Sequence, residues 1–301
     1  MKAIEVHHLT KYYGKHRAIN DLSFTVEEGQ VFGFIGPNGA GKSTTIRTLL
    51  NFIFPTKGSA KLLGKDIVTE TKAIKQEVGY LPSEVHYYEN MKVKELLQYS
   101  ARFYRTQANN RVRELTERLE LDVNKRFEDL SFGNRKKVGI VQALLHEPRL
   151  LIMDEPTGGL DPLMQHTFFD ILLEEKKKGV TIFFSSHILS EVQKMCDRVG
   201  IIKEGTLIAD DSIENLTKNQ FKKVLVLLEE NQELKLSING IIQQEQIGQT
   251  LSILFRGDVH ELITALDKAS FIDVVIEEPS LDEIFMHYYE SDDQRREHDD
   301  L

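Results

Sequence analysis

The chain has 301 residues, 41% of them apolar and 28% charged, with a formal net charge of −9 and a single cysteine, Cys196. That length suits about two domains with ordinary cores, and the acidic balance argues against nucleic acid as the main partner. One cysteine excludes an intramolecular disulfide framework and suits a reducing compartment, and no run of about 18 apolar residues is present to cross a bilayer.

In chain order, the opening MKAIEVHHLTKYYGK lacks the apolar stretch of a secretory signal. Ala3–Leu9 and Ala18–Val26 read as strands joined by a turn around Tyr13-Gly14-Lys15. Gln30–Ile35 is a further strand-like run, and Lys42–Phe52 has helical character. Between them stands Gly36-Pro37-Asn38-Gly39-Ala40-Gly41-Lys42-Ser43, followed by Thr44. This fits G-x-x-x-x-G-K-[ST], a loop whose backbone N–H groups curl around phosphate oxygens at a helix N-terminus. The glycines are expected to remove Cβ atoms where backbone and phosphate approach. Lys42 would place a charge on the β/γ-phosphates, and Ser43 a hydroxyl on Mg²⁺. The ligand implied is a nucleoside triphosphate.

Gly58–Leu63 and Gly79–Leu81 read as short strands. Val93–Tyr104 and Arg111–Leu119 carry apolar residues at helical spacing, which predicts a helical insert (about residues 85–145) inside an α/β domain. Lys136–Leu145 is helical, and Leu150–Met153 is an apolar strand running into Asp154 and Glu155. An acid at such a strand end suits Mg²⁺, usually held through water, which is the role expected of Asp154. The adjacent carboxylate, Glu155, is placed to orient and polarise an attacking water. Phe168–Lys178 predicts a helix whose terminal lysines complement the macrodipole on a solvated face, closed by Gly179. Val180–Ser185 reads as a parallel strand covered on both sides. His187 follows it, where a strand's carboxyl end faces the ligand crevice of an open sheet.

A domain boundary is expected near Asn215–Gln220. Beyond it, Lys223–Leu228, Glu233–Ile238, Leu251–Phe255 and Phe271–Ile276 read as strands, and Val259–Lys268 and Ser280–Tyr289 as helices. Ser280 with Glu283 forms a capping-box pattern. Residues 216–290 thus predict a small α+β unit without a chemical motif. Ser291–Leu301, SDDQRREHDDL, reads as a disordered acidic tail in which His298 is solvated.

Leu130-Ser131-Phe132-Gly133-Asn134 opens the helix that leads into the Asp154 strand. Ser131 is a natural N-cap, with free N–H groups behind it. Here the sequence resembles the ATP-binding subunits of ABC transporters, whose signature is LSGGQ. The resemblance covers residues 1 to about 215. It implies a P-loop ABC-type ATPase domain: a mixed sheet, an antiparallel β subdomain and a helical insert. By that resemblance Tyr13 stacks on adenine, and Ser131 and Gly133 cover the γ-phosphate of ATP bound to a second subunit. Gly159-Leu160-Asp161 matches the D-loop at the dimer interface, and His187 matches the switch histidine. Asp154 and Glu155 match the Mg²⁺ acid and the catalytic glutamate, acting with Lys42 on Mg-ATP.

Two departures stand out. Ser83 follows Tyr80-Leu81-Pro82 where the family usually has a glutamine touching Mg²⁺. A serine there implies a contact through water, or takeover by Glu84. LSFGN replaces LSGGQ: Phe132 would be strained at a positive φ, and Asn134 is shorter than glutamine, both of which bear on the hydrolysis rate. Glu278-Pro279-Ser280-Leu281-Asp282-Glu283-Ile284-Phe285 resembles the end of the accessory domain of drug and bacteriocin exporter ATPases. That implies a separate integral membrane permease as partner, a second ATPase subunit, and a peripheral position on the cytoplasmic face of the membrane. A soluble ABC ATPase, a weakly hydrolysing regulatory subunit and an importer subunit are the other readings. One motor domain, a short helical insert and acidity weigh against the first.

Overall fold

A computed structural model describes residues 1–104, 108–218, 221–230, 232–267, 270–280 and 283–286. The chain divides into a compact unit Met1–Asp210 and a second beginning at Asp211.

In the first unit, β1 (Lys2–Tyr13) and β2 (His16–Glu27) pair antiparallel across a turn in which Gly14 takes φ +59°. β4 (Lys57–Leu62) pairs with the other edge of β1, and the two-residue β5 (Lys65–Asp66) completes the sheet order β2-β1-β4-β5. The second sheet is built from β3 (Val31–Ile35), β6 (Val78–Leu81), β7 (Leu150–Asp154), β8 (Thr181–Ser186), β9 (Arg198–Lys203) and β10 (Thr206–Ser212). Its order is β10-β9-β3-β8-β7-β6, with β9 through β6 parallel. Every residue of β3, β7 and β8 is buried, as strands covered on both faces require.

The two sheets share one core. Phe24 of β2 stacks on Phe32 and Phe34 of β3 and Phe183 of β8, at ring-centroid separations of 5.7, 5.6 and 6.0 Å. Such pairs add about 0.5–1.5 kcal/mol each beyond area burial, and they pin the antiparallel sheet over the strand that enters the phosphate loop. Ile4, Val6 and Leu9 of β1 join this core because register shifts in β1 turn Leu9 inward.

Helices α1 (Lys42–Leu49), α2 (Thr71–Glu77), α3 (Val93–Phe103), α4 (Asn109–Arg118), α5 (Phe132–Leu144), α6 (Pro162–Lys177) and α7 (Leu189–Met195) complete the unit. Two helices begin earlier than their apolar periodicity indicates. Ser131 caps α5 by accepting the Asn134 N–H at 3.4 Å, and Asp161 caps α6 by accepting the Met164 N–H at 3.0 Å, with Pro162 opening the helix. The insert helix α4 is tied to α6 by ion pairs, Arg111 with the buried Glu175 and Arg118 with Glu174 at 2.6 Å. Two of the lysines expected only on a solvated face are also paired, Lys176 with Asp197 and Lys178 with Glu175.

In the second unit, after α8 (Ile213–Lys218), β11 (Lys222–Leu228), β12 (Ile241–Ile247), β13 (Thr250–Phe255) and β14 (Phe271–Glu277) form an antiparallel sheet of order β12-β13-β11-β14. Leu262 and Leu266 of α9 (Val259–Leu266) pack into its core with Val224, Val226 and Phe255. Glu233–Ile238, expected as a strand, makes no ladder. Instead the Gln244 and Gln246 side chains of β12 accept the N–H groups of Leu236 and Leu234 and donate to the carbonyls of Leu236 and Gln232. Side-chain amides thus satisfy the backbone that a neighbouring strand would otherwise pair. The capping box is formed, Ser280 N–H to Glu283 Oε2 at 2.9 Å and Glu283 N–H to Ser280 Oγ at 3.3 Å. Leu281 and Asp282, the rest of the final helix and the acidic tail with His298 lie outside the described residues.

His146, after α5, stacks on Tyr104 at 3.7 Å between ring centroids. Burial pushes its pKa down to about 4 from 6.5, with the Val78 backbone opposing. The folded state then binds fewer protons than the unfolded chain between those values. Its contribution is full above about 6.5 and is lost as pH falls toward about 4. Lowering pH from 7 to 5 is therefore expected to reduce the melting temperature, and His146→Phe to flatten part of that fall; thermal circular dichroism at both pH values tests this.

Candidate active site

The phosphate loop leaves β3 at Ile35 and enters α1 at Lys42. Gly41, the N-cap of α1, takes φ +107°, and a Cβ there would lie 2.5 Å from the Ala18 carbonyl oxygen. A Cβ on Gly36 would strike the Ile202 carbonyl oxygen. These two glycines are therefore required by the protein's own backbone behind the loop, a reason additional to phosphate approach. The Gly205 N–H donates to the Ala40 carbonyl at 2.9 Å and braces the loop from the β9–β10 turn.

One cleft of about 310 Å³ collects Tyr13, Asn38, Gly39, Gly41, Lys42, Ser43, Thr44 and Glu155, together with His16 and Ala18, which the sequence reading passed over. Lys42 is 5% exposed, and its Nζ donates to the carbonyls of Gly36 at 2.7 Å and Pro37 at 3.1 Å. The same nitrogen lies 3.4 Å from Glu155 Oε1. Tyr13 ends β1 half exposed at the cleft, with Lys11 Nζ 5.4 Å from its ring centroid.

The register Asp154↔Ser185 between β7 and β8 sets the acids. Ser185 Oγ donates to Asp154 Oδ1 at 2.6 Å and accepts the Glu155 N–H at 3.1 Å. Asp154 is 1% exposed, whereas the Glu155 side chain turns into the cleft with its backbone at φ +49°. Left-handed backbone at a non-glycine residue costs on the order of 1 kcal/mol or more. Here the Ser185 hydroxyl and carbonyl, both accepting the Glu155 N–H, hold it. His187, past the end of β8, places Nδ1 2.5 Å from Glu155 Oε2. Lys42, Glu155 and His187 thus form a continuous line of charge-assisted contacts, and Ser185 is the positioning side chain that sequence reasoning missed.

Hard oxygen donors suit Mg²⁺; the Ser43 hydroxyl lines the cleft and the buried Asp154 carboxylate ends β7, so these two are the oxygen donors that would hold such an ion beside a nucleotide's phosphates. No group of three or more His, Cys, Asp or Glu side chains converges among the described residues.

The signature residues stand outside this cleft. Ser131 and Phe132 are exposed at the start of α5. Neither Phe132 nor Gly133 takes a positive φ, so the strain expected for Phe132 is absent. Its ring lies against Gly159, where a Cβ would overlap it, and a Cβ on Gly133 would strike the Gly159 carbonyl. Signature and D-loop therefore abut within one chain, and the Asp161 carboxylate serves as the α6 cap. Ser83 also stands outside the cleft; its carbonyl accepts a hydrogen bond from Lys136 Nζ at 2.8 Å.

A phosphate loop on the central strand of a parallel sheet, with two acids one strand beyond its neighbour, defines a P-loop nucleotide-hydrolysing domain. The ABC transporter family model matches residues 19–158. An uncharacterised ABC transporter ATP-binding protein of Bacillus subtilis is 34% identical over 293 residues, spanning 94% of this chain and 97% of the relative. The bacitracin transport ATP-binding protein of Bacillus licheniformis is 33% identical over 298 residues, spanning 92% and 94%. The solved ATP-binding subunit of an ABC transporter superposes with a TM-score of 0.68 at 31% identity, covering 71% of this chain and 91% of that one. The chain belongs to the ATP-binding proteins of ABC transporters and is an ATPase of that family.

Gly159→Ala adds a methyl group at φ +81° against the Phe132 ring. It is expected to lower steady-state ATPase about tenfold, and Phe132→Ala in the same chain to restore part of that loss. The double-mutant cycle should show coupling of about 1 kcal/mol; strict additivity would separate the two residues.

Proposed function

We propose that this chain is the motor subunit of an exporter. It would bind Mg-ATP in the cleft and close head to tail on a second subunit at the cytoplasmic face of the membrane, driving a separately encoded permease. The carrying observation is the line Lys42–Glu155–His187 at the mouth of the phosphate loop. Lys42 supplies the cation for the β- and γ-phosphates; Ser43 and Asp154 would hold Mg²⁺, which would add positive charge there. Glu155 accepts a hydrogen bond from the attacking water and orients it. His187, fixed on Glu155 through Nδ1, presents its other ring nitrogen to the γ-phosphate.

The exposed Ser131 cap supports the two-subunit site. Its helix N-terminus carries free N–H groups suited to an anion and stands outside the chain's own cleft, as expected of a segment that completes a second subunit's nucleotide. The likeness to bacitracin transport proteins supports export. For the permease, a groove of about 320 Å³ beside the insert is lined by Phe52, Lys75, Tyr80, Pro82, Tyr87 and Tyr104, among others. Aromatic walls with one cation suit a short amphipathic helix. No helix among the described residues is long and apolar enough to cross a membrane, so membrane attachment would come through such a partner.

Glu155→Gln keeps the cleft's shape and removes the water-orienting charge. ATP turnover is expected to fall about a hundredfold or more, with ATP still bound and a dimer appearing on size exclusion only when ATP is present. Turnover at the parent rate would overturn the assignment. Affinity capture of the tagged chain from detergent-solubilised membranes should recover a polytopic permease; recovery of soluble partners alone would favour a soluble ATPase.

A further inference from the structure

We propose that Lys136 is a positioning residue for ATP hydrolysis. It locks the signature helix α5 to the loop that carries Ser83, so that the two move as one body. This rests on the reading that Ser131 completes a second subunit's nucleotide site.

Lys136 is 1% exposed, an unusual place for a lysine. Its Nζ donates to the carbonyls of Pro82 at 3.0 Å and Ser83 at 2.8 Å. Burial pulls its pKa down to about 8, while Asp154, Glu155 and Glu84 pull it up, so it stays largely protonated at neutral pH. Burying a charge is costly, and an apolar side chain of similar volume would usually pack there at less cost. A cation held on two loop carbonyls instead gives the contact a fixed geometry.

A second contact lies one turn along the same face of α5. A Cβ on Gly139 would come within 2.8 Å of Leu81 Cδ1 and Val85 Cγ2. The loop is thus gripped at residues 82–83 by charge and at 81 and 85 by close packing. Pro82 also lines the permease groove, and Ser131 lies five positions before Lys136 in a continuous helix. A displacement at the groove would reach the signature through Lys136.

The test uses the purified full-length chain. Lys136→Met keeps the length and removes charge and donors, taking from the part-buried Pro82 and Ser83 carbonyls the ammonium that binds them. The expected result is a fall in kcat of about tenfold with KM unchanged within about twofold. Equilibrium binding of a fluorescent ATP analogue in a Glu155→Gln background should likewise change less than about twofold, while the ATP-dependent dimer weakens. Lys136→Gln, whose amide donates to one carbonyl, should recover part of kcat. If Lys136→Met does not fold, Lys136→Gln carries the test, with kcat reduced about threefold and nucleotide affinity kept. Unchanged kcat in the variant that folds, or loss of nucleotide affinity in step with kcat, would overturn the proposal. Ser131→Ala measured beside them separates the readings. If Ser131→Ala is impaired and Lys136→Met is not, the Lys136 proposal fails alone; if Ser131→Ala turns over normally, both fail.

Discussion

The arrangement of the site depends on one strand register. Because Asp154 lies opposite Ser185, a single hydroxyl donates to the first acid and accepts the amide of the second. A slip of one residue would send Asp154 to the other face of the sheet, since side chains alternate with a period of two. It would also remove the partner that holds Glu155 at φ +49°. The acids thus take different roles from nearly the same position: Asp154 is fixed and buried, and Glu155 is turned out toward Lys42 and His187. Backbone strain at Glu155 is the means of that separation, and Ser185 opposes its relaxation.

The loop facing those acids is held from behind. Ile202 and Ala18 carbonyls crowd Gly36 and Gly41, and the Gly205 amide binds the Ala40 carbonyl. These contacts come from β2, from β9 and from the turn that follows it, far apart in sequence, so the loop's shape is a property of the whole unit. The phenylalanine stack of Phe24, Phe32, Phe34 and Phe183 does for the sheets what these contacts do for the loop. It sets the strand carrying Tyr13 at a fixed height above β3 through the pairing of β1 with β2.

Much of this was legible in the sequence because the signals were local. The phosphate loop, the apolar strand ending in Asp154-Glu155 and the cap at Ser131 each occupy consecutive residues whose chemistry is specific. What escaped detection depended on contacts across the chain. The short strands β9 and β10 and the helices α2 and α7 are stabilised by tertiary packing more than by periodicity. The start of α6 was hidden because Asp161-Pro162 reads equally as a turn. Glu233–Ile238 has strand-like alternation, yet its hydrogen bonds go to glutamine side chains, which no period-two pattern reveals. Ser185 looked like the polar end of a strand, and Lys136 like one more charge on a basic helix; burial alone distinguishes them.

Several charges are buried. Glu175 joins α6 to the insert, while Lys42, Lys136, Asp154 and Glu191, all under 9% exposed, lie in the loop, the signature helix, the strand end and the helix after His187. Glu191, whose carboxyl is pushed above its usual range by burial, accepts from Ser186 Oγ at 3.1 Å beside His187. In a protein selected for stability alone, such groups would be replaced by apolar ones. They persist together because each fixes one element at the nucleotide cleft or beside it, and a charge with directed hydrogen bonds resists displacement in a way that apolar contact does not. These four groups, costly to bury, stand at the nucleotide cleft or beside it, while the surrounding phenylalanines and aliphatic strands supply the stability that makes them tolerable.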